Sequence, residues 1–362
     1  MRFKKMTVAI IVVMLTFSAC IKEVAIKTRK EKAILVVEGS ITTDSLPYSV
    51  RLTYSGPYKS GLDVPDEFLE KQAKVTITDD QGNATNLAYI GNGIYETNDP
   101  GYIGKPGRNY SVAIELKDGR KYISTPEKMK QPVIISALNV KFALDNNFIV
   151  PASLHVLLDT KDPAVEENYY KWNFYSWVMR QTHGIPCGFG CTLYEYCFQK
   201  IADKEVRVLS DAAINGNEIK NLLIGKSYIY TYGNSYIDIA QLSITREAYQ
   251  FWRRYEDQVS RTGSILDPLP ASIKGNVFNA ADPNDFALGY FSASAVSHKR
   301  AILIPFNVTR YLLDISAVQF IPDGSQVCFD YFPNALSYPP PPADQYPPPP
   351  GWENAERIEV HW

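Results

Sequence analysis

The cysteines are the residues whose chemistry the sequence indicates most directly, and Cys20 has the surroundings of a lipidation site. Three basic residues, Arg2, Lys4 and Lys5, precede an apolar stretch from Thr7 to Phe17, as in an export signal. That stretch is about half as long as a membrane-spanning helix requires. The small residues Ser18 and Ala19 follow the stretch and stand directly before Cys20, a pattern typical of a bacterial lipobox. The alternative is a plain secretory signal with an incidental cysteine.

Acylation of Cys20 would divide the N-terminus into a signal peptide at 1–19 and a lipidated tether at 20–32. The whole chain has 37 Lys and Arg against 39 Asp and Glu, and the signal peptide carries three of the basic residues. The remaining chain is therefore net acidic, and its one basic block, Lys27 to Lys32, is interrupted by Glu31. We expect no binding to nucleic acid, and a solvated tether that holds the protein at a membrane.

Four further cysteines, Cys187, Cys191, Cys197 and Cys328, form an even set. In an exported protein an even number of cysteines favours disulfides. We favour Cys187–Cys191 and Cys197–Cys328, although four cysteines allow three pairings and the sequence does not choose among them. A zinc site that adds His183 is the alternative, but its ligand spacing matches no usual structural zinc pattern. We expect no bound metal and no cofactor.

Other catalytic chemistry has weak support in the sequence. The histidines are His155, His183, His298 and His361, and none of them belongs to a His-Glu-x-x-His motif. His155 lies in an apolar run and is interpreted as a core residue. The carboxylate pairs Asp79-Asp80 and Asp282/Asp285 lie in turn sequences, where Asp commonly bonds the backbone; calcium is the alternative there. We expect no enzyme activity.

The elements that would position these residues are mainly strands. Residues 33–130 contain some seven short alternating segments separated by turn signals such as Gly91-Asn92-Gly93 and Lys117-Asp118-Gly119. This pattern predicts an immunoglobulin-like or fibronectin-like β sandwich. Residues 131–336 are predicted to form a larger β-rich domain with one or a few helices.

The second region contains an aromatic segment, Tyr169 to Met179. Alternation would place Trp172, Phe174 and Ser176 on one face and Tyr175 and Trp177 on the other. Apolar residues on both faces predict a central strand. Core packing is the favoured role of these rings, and an aromatic ligand platform is the alternative.

One helix is predicted at about 244–261, with Ser243 as its N-cap. Its apolar stripe consists of Ala248, Phe251, Trp252, Tyr255 and Val259.

The C-terminal segment 337–362 contains two runs of four prolines, Pro339 to Pro342 and Pro347 to Pro350. Such runs adopt polyproline II geometry and offer no donors to a sheet. We expect a stiff arm that either packs along the body or serves in recognition.

Several segments together resemble a Gram-negative outer-membrane lipoprotein family that is catalogued as domain of unknown function 4249. The resemblance begins with Leu35 to Asp44, followed by Pro47-Tyr48. The later segments, in the same order, are Asp79-Asp80-x-Gly82, Gly93-x-Tyr95, Gly104 to Tyr110, Ser243 to Trp252, Pro268 to Asn276 and Leu288 to Ala295. The family's C-terminal Cys-x-Asp-Cys is incomplete here, since Cys328-Phe329-Asp330-Tyr331 lacks the second cysteine.

The resemblance implies a surface-exposed lipoprotein of the outer membrane that works beside a TonB-dependent transporter in nutrient uptake. Its partners would be the β-barrel transporter and the membrane itself. It supplies no catalytic residues. The alternatives are a stand-alone glycan-binding or adhesive surface lipoprotein that uses exposed Tyr and Trp, and a hydrolase with an unrecognised site.

Overall fold

The computed structural model describes the chain from residue 33 to residue 360, with gaps. The described ranges are 33–56, 64–144, 152–164, 166–181, 185–188, 191–193, 196–201, 205–228, 234–260, 272–282, 284–305 and 351–360, with side chains left out at 179–199 and 228. The N-terminal segments 1–19 and 20–32 and the proline runs lie outside these ranges.

The described elements are twenty strands, one α-helix and short 3₁₀ helices at Asp66–Phe68 and Trp352–Asn354. In chain order they are β1 Leu35–Thr42, β2 Ser49–Tyr54, β3 Lys74–Asp79, β4 Ala84–Gly91, β5 Ile94–Thr97, β6 Asn109–Glu115, β7 Lys121–Ser124, β8 Glu127–Lys128, β9 Ile135–Leu144, β10 Ala152–Lys161, β11 Tyr169–Gln181, β12 Ile185–Gly188, β13 Cys191–Leu193, β14 Tyr196–Ile201, β15 Arg207–Ser210, β16 Glu218–Tyr228, β17 Ser235–Ile244, α1 Arg246–Val259, β18 Lys274–Asn279, β19 Phe286–Ile304 and β20 Glu356–Glu359. The predicted fold class is confirmed: the protein is mainly β, with an N-terminal sandwich and a larger β-rich part that carries the helix.

The main sheet has the order β1-β2-β5-β4-β3-β6-β7-β18-β19-β17-β11-β14. In addition, β1 pairs in parallel with β19, from Val36 opposite Leu288 to Thr42 opposite Ser294. The strands of the N-terminal region therefore close on themselves only with the help of β18 and β19, from much later in the chain. They enclose the first core, which includes Val37, Ile41, Leu52, Ile77, Ile114, Tyr122, Val277, Phe291 and Ala295.

A second core lies between the sheet β16-β10-β9 and the strands β11, β17 and β19. Trp172 and Phe174 are buried in it, as alternation predicted, together with Leu154, Val156, Ile237 and Ile239. The described end of the C-terminal segment joins this part, because β20 pairs in parallel with β19 and Val360 is buried in the second core. That placement fits the packing interpretation for residues 351–360.

The helix α1 lies on the other face of the same strands, against Tyr169, Val208, Leu242, Ile244 and Tyr290. Its N-cap is Thr245, whose hydroxyl accepts a hydrogen bond from the Ala248 amide at 3.1 Å. The prediction of Ser243 as N-cap is wrong, because β17 continues through Ser243 opposite Tyr170 and Ala295. Among the described residues no helix is long and apolar enough to cross a membrane.

Gly289 is required where β1 and β19 approach each other. Its φ of +81° lies in the left-handed region, and a Cβ there would be 2.1 Å from the Val37 carbonyl oxygen. Gly82 has a similar φ of +84° in a turn, but a Cβ there would meet nothing within 4 Å.

We predict that Gly289→Ala destabilises the protein by about 2–4 kcal/mol, because left-handed strain and a backbone collision add up. The matched control Gly82→Ala carries the strain alone and should cost about 1 kcal/mol. Urea unfolding followed by tryptophan fluorescence measures both. If both substitutions lower the free energy of unfolding equally, β1 moves away from the added Cβ without cost.

Candidate functional site

A cavity of about 770 Å³ lies between α1 and the face of the main sheet that is turned away from the two cores. We call it the α1 cavity. Its size falls in the range of small-molecule sites, roughly 300–1,000 Å³. Strands β1, β11, β17 and β19 form its floor, and the helix forms a wall.

The floor is built from small polar residues because of strand alternation. Along β19, Phe291, Ala293 and Ala295 point into the first core, so Ser292 and Ser294 face the cavity. Ser40 on β1 lies opposite Ser292 and also borders the cavity. Ser294 is fully buried, and its hydroxyl oxygen has no hydrogen-bond partner. The floor therefore offers a hydroxyl, that of Ser294, that has no hydrogen-bond partner among the described residues.

The wall is aromatic. Phe251 packs on Tyr290 with ring centroids 4.9 Å apart, and Trp252 packs edge-on against Phe251 at 5.2 Å. The apolar stripe of α1 is buried only at its start, since Tyr255 and Val259 are 41 % and 51 % exposed while lining the cavity. The cavity therefore opens to solvent along the C-terminal half of α1.

Lys171 on β11 supplies the positive charge of the α1 cavity. Its Nζ donates to the Asn173 side-chain oxygen at 2.6 Å and lies 4.7 Å from the centre of the Trp252 ring. Burial lowers the pKa of Lys171 to about 8, because the charged form loses water. Sequence reasoning missed this residue, although its signal was a lysine on an otherwise aromatic strand.

Glu127 on β8 holds α1 on the sheet. The buried carboxylate accepts hydrogen bonds from the Tyr290 hydroxyl at 2.6 Å and the Thr245 hydroxyl at 2.7 Å. Asn276 approaches it at 3.5 Å and bridges β18 to the backbone of Phe291. Burial raises the pKa of Glu127 and of Tyr290. One carboxylate thus connects the helix N-terminus with β8, β18 and β19.

A charged cluster follows the α1 cavity along the same face of β19. His298 bonds Asp238 through Nδ1 at 2.7 Å and Asp44 through Nε2 at 3.0 Å. Arg300 also donates to Asp238, at 2.9 Å. These hydrogen bonds to two carboxylates raise the pKa of His298 to about 9. This cluster was not predicted, because Asp44 and His298 are 254 residues apart in the sequence.

The second face of the aromatic strand β11 lies beyond this cluster. Tyr175 and Trp177 are half-buried, with Lys200 Nζ 5.0 and 5.4 Å from their ring centres. The predicted central strand is confirmed, since β17 pairs on one side of β11 and β14 and β15 on the other. The two rings are inclined at 42°, so they do not form one flat platform.

The predicted cysteine chemistry falls on parts of the chain that the structure does not describe. Cys20 and Cys328 lie outside the described ranges, and so does His183. Cys187 and Cys191 lie on the paired strands β12 and β13, and Cys197 lies on β14, but their side chains are not described. Lipidation of Cys20 and both disulfides stay predictions.

The two carboxylate pairs predicted to lie in turns bind side chains of the protein. The Asp79 and Asp80 carboxylates bind Arg108 and the side chains of Asn83 and Asn109. Asp285 accepts hydrogen bonds from Tyr122 and Asn279, and Asp282 bonds Asn284 in its turn.

The interpretation of His155 as a satisfied core residue is wrong. It is only half-buried on the outer face of β10, because its neighbours Leu154 and Val156 take the core side. Its Nε2 has no hydrogen-bond partner.

We predict that His298→Asn costs more stability at pH 6 than at pH 9.5. A pKa of about 9 in the folded state against 6.5 in the unfolded state stabilises the protein fully below pH 6.5, and this contribution is lost as the pH rises through 9. The pH-dependent part should be about 1–3 kcal/mol in urea unfolding. In an Asp44→Asn background it should shrink. A cost independent of pH would contradict the ion pairing.

Comparisons with known proteins place the chain in a family. No curated protein matches it. Among solved structures, a two-domain fibronectin type-III segment of chicken tenascin matches with 11% identity and a TM-score of 0.16, covering 59% of this chain and 92% of that one. A tetra-tandem repeat from the extending region of a large adhesion protein matches with 14% identity and a TM-score of 0.17, covering 59% of this chain and 45% of that one. These scores are too low to carry over any property of either protein.

The family model described as Domain of unknown function (DUF4249) matches residues 21–300, well over half of the chain, and the protein therefore belongs to that family.

Proposed function

We propose that the protein is an outer-membrane surface lipoprotein that captures a small molecule in the α1 cavity for a neighbouring TonB-dependent transporter. The observation that carries the capture step is the cavity itself, with an aromatic wall, a polar floor and an opening to solvent. The lipobox at Cys20 and the resemblance of the chain to outer-membrane lipoproteins support the location and the partner.

Four segments of the resemblance contribute to the α1 cavity. Val36 to Ser40 come from the first of them, Phe251 and Trp252 from the helix segment, Ser272 and Ile273 from the next, and Leu288 to Ser294 from the last. Segments far apart in the chain thus meet around one cavity. This convergence supports ligand capture by this protein.

The two alternatives have less support. Flat stacking of a sugar on Tyr175 and Trp177 is disfavoured by the 42° between their rings. A hydrolase of the paired-carboxylate kind would need two carboxylates at the cavity, whereas among its described lining residues only Glu38 is acidic.

We predict that the neutral fluorescent dye N-phenyl-1-naphthylamine binds in the α1 cavity, and that Trp252→Ala weakens binding about tenfold. The reason is the loss of aromatic contact area, worth about 1.4 kcal/mol. Fluorescence titration measures the affinity. The full chain is used with Cys20→Ala, because a protein without acyl chains needs no detergent, which would itself bind the dye. Trp352→Ala is the matched control, since Trp352 packs on Tyr236 and does not line the cavity. Equal effects of both substitutions would contradict binding in the cavity.

We predict that Cys20→Ala abolishes labelling by an alkyne fatty acid and releases the protein from the outer membrane, because the acyl chains are its anchor. Cys328→Ala should still be labelled and membrane-bound.

From detergent-solubilised outer membrane, the tagged wild type should co-purify with a β-barrel transporter. Repeated recovery without such a partner would argue against the transporter role.

A further inference from the structure

Lys171 is a half-buried cation to which the described part of the chain offers no counter-charge. No Asp or Glu lies within ion-pair distance of its Nζ among the described residues, and its one hydrogen bond goes to the neutral Asn173. Other lysines of the protein have an anionic partner, since half-buried Lys130 pairs with Glu166 and exposed Lys220 pairs with Glu218. An ammonium that has lost much of its water and has no anion beside it is destabilised, and two of its three donor positions are left for other partners.

The Lys171 ammonium lies at the boundary between the polar and the apolar parts of the cavity. Its ammonium lies over Trp252, where the polar floor meets the aromatic wall. The unpartnered hydroxyl of Ser294 borders the same cavity. The site therefore combines a cation and the unpartnered Ser294 hydroxyl with an apolar surface formed by Phe251, Trp252 and Tyr255.

We propose that the molecule held in the α1 cavity carries an anionic group, such as a carboxylate, that pairs with Lys171, joined to an aromatic or other apolar body that packs on the α1 wall. This inference rests on the proposed function of ligand capture and names the chemical class of the ligand. Pairing supplies the missing counter-charge, and a charge-assisted hydrogen bond is about twice as strong as a neutral one.

Two dyes that differ mainly in charge test the inference. 8-Anilinonaphthalene-1-sulfonate and N-phenyl-1-naphthylamine share the anilinonaphthalene body, and only the first carries an anion. With the full chain carrying Cys20→Ala, Lys171→Met should weaken binding of the sulfonate about tenfold. Binding of the neutral dye should change less than about twofold, and Lys171→Arg should retain sulfonate binding because it keeps the charge.

Lys274→Met is the matched control. Lys274 also lies over an aromatic ring, Phe286 at 5.3 Å, but it is exposed and outside the cavity, so both dyes should bind as to the wild type. If the wild type binds neither dye, ligand capture itself fails. If both dyes bind and Lys171→Met leaves the sulfonate unaffected, the anionic ligand is refuted while capture stands. Equal loss of both dyes also refutes it, because Lys171 would then only maintain the shape of the cavity.

Discussion

The long strand β19 pairs with strands from the N-terminal and the C-terminal parts of the chain and thereby organises both cores. Over its first half β19 lies beside β1 in parallel and completes the first core through Phe291 and Ala295. Over its second half it pairs with β17 and β20, and Ala301 and Leu303 belong to the second core. A nineteen-residue strand is long for a globular protein, and this length lets one strand serve two cores.

The opposite face of β19 carries the groups of functional interest for the same reason. Alternate residues of β19 point into the cores, so the residues between them form one continuous row on the opposite face. This row contains Tyr290, Ser292, Ser294, His298 and Arg300. The helix covers only the beginning of this row. Glu127 fixes the helix N-terminus, whereas Tyr255 and Val259 near its end remain exposed. A firmly held floor with a partly uncovered wall suits reversible entry of a small molecule.

The segments that resemble the family divide into two physical roles. Some build turns: Arg108 binds Asp79 and Asp80, and a Cβ at Gly93 would be 2.6 Å from the Leu52 carbonyl oxygen. The others line the α1 cavity or hold its helix. Turn residues are explained by the needs of the backbone, but small polar residues on the floor of a cavity are not. The second group therefore supports the proposed capture of a ligand, and Lys171, which lies outside the resembling segments, adds a positive charge to the same cavity.

The local features of the fold follow from the amino-acid sequence alone. Alternation predicted several of the strands and the faces of Trp172 and Tyr175, and the apolar stripe predicted α1 to within two residues at each end. Such patterns are local, since they follow from the periods of strand and helix. Only the tertiary structure decided that β1 closes against β19, that Lys171 meets Trp252, and that His298 joins Asp44 across 254 residues. The physical reason is that a strand's alternation fixes which residues point inward but not which distant strand it pairs with. Cavities and ion pairs between strands arise from that pairing.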